Sequence, residues 1–442
     1  MQHPQGTASH YNYFWSVTDK LTAWPATVCF LLLGVLASHV PDARAAAAVP
    51  LSSNEAELIA LADEPGFEAL TENAAAIMQQ SVAAGQLPDP MLGVGLQNFP
   101  IQSGGFTTEG MTQAVIGLRQ SFPRGNTRKL KTSQLESLSS GVTADAENRT
   151  RQVVLATRQA WLGVYYWEQS KKLVLDSRAY FSDLLAITRS LYAVGSRNRQ
   201  DVLRAEIELS RLDNRLVEID RQITDQRARL AQWVGDTHAA RPLDTDLPGW
   251  REVPDLPDLV AQLETHPAML AADSRIAARQ SGIGLANASY KPAWGLEAKL
   301  GLRGGELANG TSRSDFATLM LTLDLPLFHK NRQDRVLASA RHLKQSSLAA
   351  KTKLARALRQ ELESEYAHWT ELSLRIGIYQ ERIVPQSAEL SAAALAAYQA
   401  DVADFADLMR AYIHELDTRI EQTKLQTDRL RSYALIAALG GF

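Results

Sequence analysis

The clearest pattern in the chain is strict alternation. Trp294, Leu296, Ala298, Leu300 and Leu302 alternate with Gly295, Glu297, Lys299, Gly301 and Arg303. Ala317, Leu319, Leu321, Leu323 and Leu325 then alternate with Thr318, Met320, Thr322 and Asp324. Earlier, Ala114, Ile116, Leu118 and Phe122 alternate with Val115, Gly117, Arg119 and Ser121, and the stretch from Met91 to Phe99 repeats the pattern more weakly. A period of two predicts strands with one apolar and one polar face. Gly-rich polar loops join them in pairs, Gln102 to Gly110 and Gly304 to Ser314.

Between and after these hairpins the period changes. The 70 residues from Gly125 to Val194 contain no proline and are dominated by helix formers. As one helix they span roughly 105 Å, which no compact globule needs. Val202, Ala205, Leu209, Leu212, Leu216, Ile219 and Ile223 then follow each other by three and four, resuming at Leu230 and Trp233. Met409, Ile413, Leu416, Ile420, Leu430, Ala434 and Ala437 keep the same phase later, with Thr423 and Thr427 in the seam. Such spacing narrows the apolar face to a coiled-coil seam, and its small knobs predict close helix approach.

The two halves are one unit written twice. Pro65 and Pro267 lie 202 positions apart, as do Pro90 and Pro292, while Pro123 and Pro326 lie 203 apart. Tyr192 and Tyr398 are each followed nine residues later by an aspartate, Asp201 or Asp407. Next come Val202-Leu203-Arg204-Ala205 or Leu408-Met409-Arg410-Ala411. The expected organisation is a signal peptide over 1–45 and two repeats. The first covers 46–250 (helix, β-hairpin 91–122, long helix 124–194, helix 200–234). The second covers 251–442 (helix, β-hairpin 294–326, long helix 328–400, helix 404–439). The fold class is mainly α with a small β part.

Composition locates this architecture. Of 442 residues, 45% are hydrophobic and 21% charged, too apolar for disorder and too polar for a polytopic helical membrane protein. Lys plus Arg number 46 and Asp plus Glu 49, a balance of −3 with no nucleic-acid footprint. The dense apolar run from Val28 to Ala37 has the length of a signal peptide's core, about half a membrane-spanning helix. Ala43-Arg44-Ala45 then supplies a small-x-small cleavage pattern, so the chain is expected to be exported. The single cysteine, Cys29, lies in that leader, which excludes a disulfide framework and a thiolate metal site from the mature protein. No later segment reaches 18 apolar residues.

In an exported chain, strands of about ten residues with one greasy and one wet face suit a membrane barrel. Four strands cannot close one, because barrels start at about eight, and lipid does not tolerate open edges. The chain is therefore expected to pool its strands with copies of itself.

Several landmarks then carry a resemblance in their order. They are Leu87-Pro88-Asp89-Pro90 before the first strand, His266-Pro267 opening the second copy, Tyr290-Lys291-Pro292 before the third strand, and the tandem Tyr-x8-Asp tips. Together, over about Glu57 to Gly441, they resemble the TolC family of outer-membrane efflux channels. The resemblance implies a homotrimeric α/β-barrel duct whose twelve strands, four per chain, sit in outer-membrane lipid. Its helices continue as an α-barrel across the periplasm of a Gram-negative envelope. There they dock on a periplasmic adaptor (a membrane fusion protein) and an inner-membrane pump, expected to be of the resistance-nodulation-division type. It also implies a passive duct, not an enzyme, with heavy-metal efflux as the expected setting although no ligand set in the residues supports it. The alternative considered is a periplasmic coiled-coil adaptor, which would carry one helical hairpin flanked by small β domains rather than two copies.

Carried over residue by residue, Val194-Gly195 and Asp201-Val202 match the family's first tip, and Tyr398 and Asp407 match its gate tyrosine and lumen-facing aspartate. Three positions depart: Ala403 replaces a gate arginine, Asp401 the tip glycine, and Arg410 a second aspartate. Tip one also carries Arg197 and Arg199, and tip two Asp401 and Asp404. Opposite charges on neighbouring tips are expected to help hold the resting channel shut. Exposed pairs are worth at most about 1 kcal/mol each, so only a threefold network would matter. Glu365 and His368 stand at metal-binding spacing on a helix, but no second ligand set recurs in the other copy, and an exposed helix face accounts for them. Trp161, Tyr165, Tyr166 and Trp167 form an aromatic patch midway along the first rod, expected to pack between helices. No cofactor or metal site is expected, and no phosphate loop or nucleophile motif appears.

Overall fold

The computed structural model describes residues 49–195 and 198–442. The leader, its expected cleavage site and Arg197 lie outside the described residues. In chain order the first copy comprises α1 (Ser53–Ala62), α2 (Pro65–Ala84), β1 (Met91–Gln97), β2 (Gln113–Phe122), α3 (Thr127–Ala193) and α4 (Arg199–Ala239). The second comprises α5 (Leu256–Gln262), α6 (Pro267–Ala288), β3 (Ala293–Arg303), β4 (Phe316–Asp324), α7 (Gln333–Ile378), α8 (Val384–Gln399) and α9 (Phe405–Gly440).

The paired prolines act as punctuation. Pro65 and Pro267 occupy the first turns of α2 and α6, where a missing N–H costs nothing. The residue before each caps its helix: Glu64 accepts from the Phe67 N–H at 2.6 Å, and His266 Nδ1 accepts from the Ala268 N–H at 3.2 Å. Pro90 and Pro292 precede β1 and β3, and Pro123 follows β2. Both copies end on a left-handed glycine: Gly235 (φ 77°) breaks α4 after Val234, and Gly441 (φ 77°) caps α9.

α3 is an uninterrupted rod of 67 residues, roughly 100 Å long. Its counterpart is not continuous. The expected helix over 328–400 begins at Gln333 and passes through a π turn at Tyr379–Ile383 before continuing as α8. Pro385 explains the interruption: it lacks an N–H and clashes with the carbonyl a turn behind, and one wide turn absorbs the mismatch.

Packing repeats along the rods in separate layers. Near the middle, Leu51, Val153, Trp161, Leu162, Leu230 and Val234 form one buried cluster. Leu51 has no exposed surface, because it forms a parallel bridge to Leu243 and its carbonyl accepts the Trp161 indole N–H at 2.9 Å. Arg241 fixes the same segment by donating to the Val49 carbonyl and to Glu55 Oε1 (2.8 and 2.7 Å). Tyr165 stacks on Trp161 with centroids 5.4 Å apart, so half of the aromatic patch is core as expected. Toward the tips, Phe181, Leu184, Ala205, Leu212, Ile219, Tyr398, Phe405, Leu408 and Leu416 form a second cluster joining both copies. The tip-ward parts of both heptad seams are spent there on intramolecular packing, while Leu230 and Leu430 join the middle cluster.

The sheet order is β1-β2-β3-β4, antiparallel throughout. Its register places Leu92, Val94 and Leu96 opposite Leu118, Ile116 and Ala114. These in turn face Ala298, Leu300 and Leu302 on β3, whose Trp294, Leu296, Ala298 and Leu300 face Leu323, Leu321, Leu319 and Ala317 on β4. One face is therefore apolar across all four strands except at Gln120. The other carries Arg119, Glu297, Lys299, Arg303, Thr318, Thr322 and several glycines. Every residue of β1 and β4 is exposed, Val94 at 77% and Leu319 at 74%. An isolated soluble domain does not leave so broad a greasy face bare with two unpaired sheet edges.

Candidate functional site

Two regions bear on function, the helix tips and the sheet. At tip one α3 ends with Val194 as C-cap, and Gly195 enters the left-handed region (φ 77°), its N–H donating to the Tyr192 carbonyl at 2.9 Å. At tip two Asp401 occupies the equivalent position with φ 60°. The Asp401 N–H donates to the Tyr398 carbonyl at 3.2 Å and the Val402 N–H to the Ala397 carbonyl at 2.9 Å, which is a Schellman closure. The departure from glycine at 401 is thus tolerated because aspartate is among the few residues that visit this conformation readily.

Each tip then re-enters a helix through an extended residue, Asn198 or Asp404, whose carbonyl accepts from the Asp201 or Asp407 N–H (3.1 and 3.0 Å). An arginine follows each aspartate at i+3. Arg204 stands 3.9 Å from Asp201, and Arg410 is ion-paired with Asp407. The arginine that departs from the family's pattern therefore lies on the aspartate one turn before it. Arg199 and Asp404 are exposed at the two re-entry points. Tyr398 is only 5% exposed, with its ring edge-on to Phe405 at 5.6 Å, so in this conformation it braces α8 against α9. The i+3 spacing of the acid–base pairs was visible in the sequence; the burial of Tyr398 was not.

On the polar face of the sheet the long side chains lie flat. Lys299 pairs with Glu297 at 2.9 Å, and its stem occupies the space a Cβ on Gly117 would need. Gln113 lies over Gly301 in the same way. Glycines beneath long polar side chains keep this face thin. At the loop edge Arg303 sits over the Phe316 ring at 3.9 Å and donates to the Ser314 carbonyl at 2.7 Å.

Where strands give way to helices, all the crossovers are tied together. Arg124 is ion-paired with Asp324 and donates to the Ser289 carbonyl at 2.8 Å. Arg128 donates to the Gly85 carbonyl at 3.2 Å, and Gln120 to that of Pro88 at 2.8 Å. The Tyr290 hydroxyl donates to Asp334 at 2.6 Å, and His329 Nδ1 lies 3.2 Å from the same carboxyl. These two contacts, the tyrosine's first, hold the Asp334 pKa below its ordinary value. Beyond the Tyr290-Lys291-Pro292 triplet, nothing in the sequence marks this ring of contacts.

Among the described residues no helix is long and apolar enough to cross a membrane, and no three His, Cys, Asp or Glu side chains stand together as metal ligands. His368 has Glu365 at 3.9 Å and the Ser432 hydroxyl at 3.3 Å.

Residues 259–441 match the family described as outer membrane efflux protein. The match covers the second copy, less than half of the chain. No curated protein matches it. Among solved structures it is similar to the outer membrane protein VceC of Vibrio cholerae, at 18% identity and a TM-score of 0.74, covering 88% of this chain and 96% of that one. It is also similar to CusC, at 15% identity and 0.75, covering 90% and 94%. A third similar structure is the open state of the MtrE outer membrane channel of Neisseria gonorrhoeae, at 16% and 0.70, covering 88% of each chain. The fold is thus that of these TolC-like outer-membrane channels.

Proposed function

We propose that this chain is one third of an outer-membrane exit duct in a tripartite efflux pump. Three copies pair β1 of one with β4 of the next, closing twelve strands with the leucine face in lipid and the Arg119–Lys299–Arg303 face in water. The rods α3 and α7–α8 extend into the periplasm, where the tips meet an adaptor and an inner-membrane pump, taken from the resemblance to be of the resistance-nodulation-division type. The duct supplies no energy and selects little; the pump chooses the cargo. The observation that carries this reading is the coincidence of two open sheet edges with an unbroken apolar face on a sheet only four strands wide.

Closure is assigned to the tips. Arg197 and Arg199 on tip one and Asp401 and Asp404 on tip two form a threefold set of opposite charges that holds the resting entrance narrow, with Gly195, Asp201, Tyr398, Asp407 and Arg410 shaping it. Purified protein added to a planar lipid bilayer is expected to give discrete conductance steps, and the Arg197→Ala, Arg199→Ala double variant steps of larger mean open conductance. Absence of any conductance would overturn the duct; wild-type conductance in the double variant would overturn the charge latch alone.

A further inference from the structure

The two edges of the sheet differ sharply in charge. At the helix edge, residues 85–90, 123–132, 289–292 and 324–335 carry eight basic side chains and three acidic ones. At the loop edge, residues 98–112 and 303–315 carry two basic and three acidic ones. The acids at the helix edge are largely spent. Asp324 is paired with Arg124, and Asp334 is shared between Tyr290 and His329. Among the described residues no carboxylate lies within ion-pair distance of Lys129, Lys291, Lys330 or Arg332, and all four are exposed. At the loop edge, by contrast, Arg303 and Arg313 are tied to loop carbonyls, Arg313 to those of Thr107, Glu109 and Gly304.

The unpaired cations adjoin a greasy collar. Leu325 and Leu327 continue past the end of β4, and Phe328 is 84% exposed. His329-Lys330-Asn331-Arg332 follow without a break. At the same edge Phe122 stacks on Trp294 with centroids 3.8 Å apart, and Lys291 lies over the left-handed turn at Gly125. Exposed apolar and aromatic groups directly below unpaired ammonium and guanidinium groups match the acyl-to-phosphate boundary of a bilayer.

We infer that this collar is a binding surface for anionic phospholipid, with Lys291, Lys330 and Arg332 taking headgroup phosphates and Leu327 and Phe328 the upper acyl chain. The inference rests on the duct reading, which puts the helix edge at the periplasmic leaflet. It adds a preference: the protein selects phosphatidylglycerol-like over zwitterionic lipid there, and the loop edge has no such preference.

The test is lipid retention by the full-length protein purified in detergent. It would be titrated with phosphatidylglycerol or phosphatidylcholine and read by native mass spectrometry, alongside thermal unfolding. Wild type is expected to retain and be stabilised by phosphatidylglycerol selectively. The Lys291→Gln, Lys330→Gln, Arg332→Gln variant should lose on the order of a hundredfold in apparent affinity, at roughly fivefold per cation removed. Arg313→Gln at the loop edge should change nothing. Equal retention of both lipids by wild type, or an unaltered preference in the triple variant, would overturn the inference. Bilayer conductance separates the two readings: pores without lipid preference sink only the collar, whereas a chain that forms no pores sinks the duct and the collar with it.

Discussion

Adjacent residues at the middle of β4 give the sharpest prediction, because one step along a strand changes the face entirely. Leu319 lies on the apolar face opposite Ala298 and is 74% exposed in the single chain; Met320 lies on the polar face opposite Glu297. For a sheet folded inside a soluble subunit, a lysine at the more exposed Leu319 would be the cheaper change. For a barrel in lipid the order reverses. A lysine on the lipid face near the bilayer midplane costs about 2–4 kcal/mol, roughly a 30- to 1,000-fold shift in the folding equilibrium of each chain. Met320→Lys instead places its ammonium in the lumen beside Glu297, which already pairs with Lys299, and should cost under about 1 kcal/mol. Both variants would be refolded into phospholipid vesicles across a urea series and followed by tryptophan fluorescence and by the heat-resistant band on gels. Leu319→Lys should unfold at much lower urea and lose the band, while Met320→Lys stays near wild type. Equal effects, or greater damage from Met320→Lys, would refute the assignment of faces.

Other outcomes follow from single contacts. Arg410→Ala should expose the paired Asp407 and shift the reversal potential toward cation selectivity in a salt gradient; an unchanged potential would show that this pair does not face the permeation path. Gly195→Ala meets no atom within 4 Å, so its expected loss of about 1–2 kcal/mol in denaturant unfolding is backbone strain alone. Trp161→Phe removes the indole donor from the buried Leu51 carbonyl, which keeps the Asp244 N–H at 3.2 Å, and should cost about 0.5–1.5 kcal/mol, read by the same method. Burial, with Arg151 adding to it, depresses the His266 pKa from 6.5 to about 4. The folded state therefore resists protonation that the unfolded chain accepts, and stability should fall as pH drops from 6.5 toward 4. His266→Asn replaces the capping Nδ1 with an amide oxygen that does not titrate and should flatten that slope.

Much of this architecture was legible because it repeats. Alternation marked the four strands and which residues share a face, and the heptads marked the inward seams of α4 and α9. The π turn at Tyr379–Ile383 was not legible, since Pro385 sits among good helix formers and only tertiary packing decides whether a helix breaks or widens there. The clamp on Leu51 was hidden too, because its partners Trp161 and Leu243 are distant in sequence and the bridge is one residue long. The tips were legible as motifs but not as geometry. Composition shows charges at Arg199, Asp404, Asp407 and Arg410, whereas the Asp407–Arg410 pairing and the burial of Tyr398 depend on rotamers and on packing from the other copy.

The closing of the sheet between copies can be tested with cysteine pairs, because the only native cysteine, Cys29, falls in the expected leader. Within one chain β1 and β4 are separated by two strands, about 14 Å at ~4.8 Å per step, beyond the ~7 Å that a disulfide can bridge. Val94→Cys combined with Leu319→Cys or Leu321→Cys, oxidised in membranes, should yield covalent trimers in at least one pairing. Chains that remain monomeric under oxidation in every pairing would contradict the account.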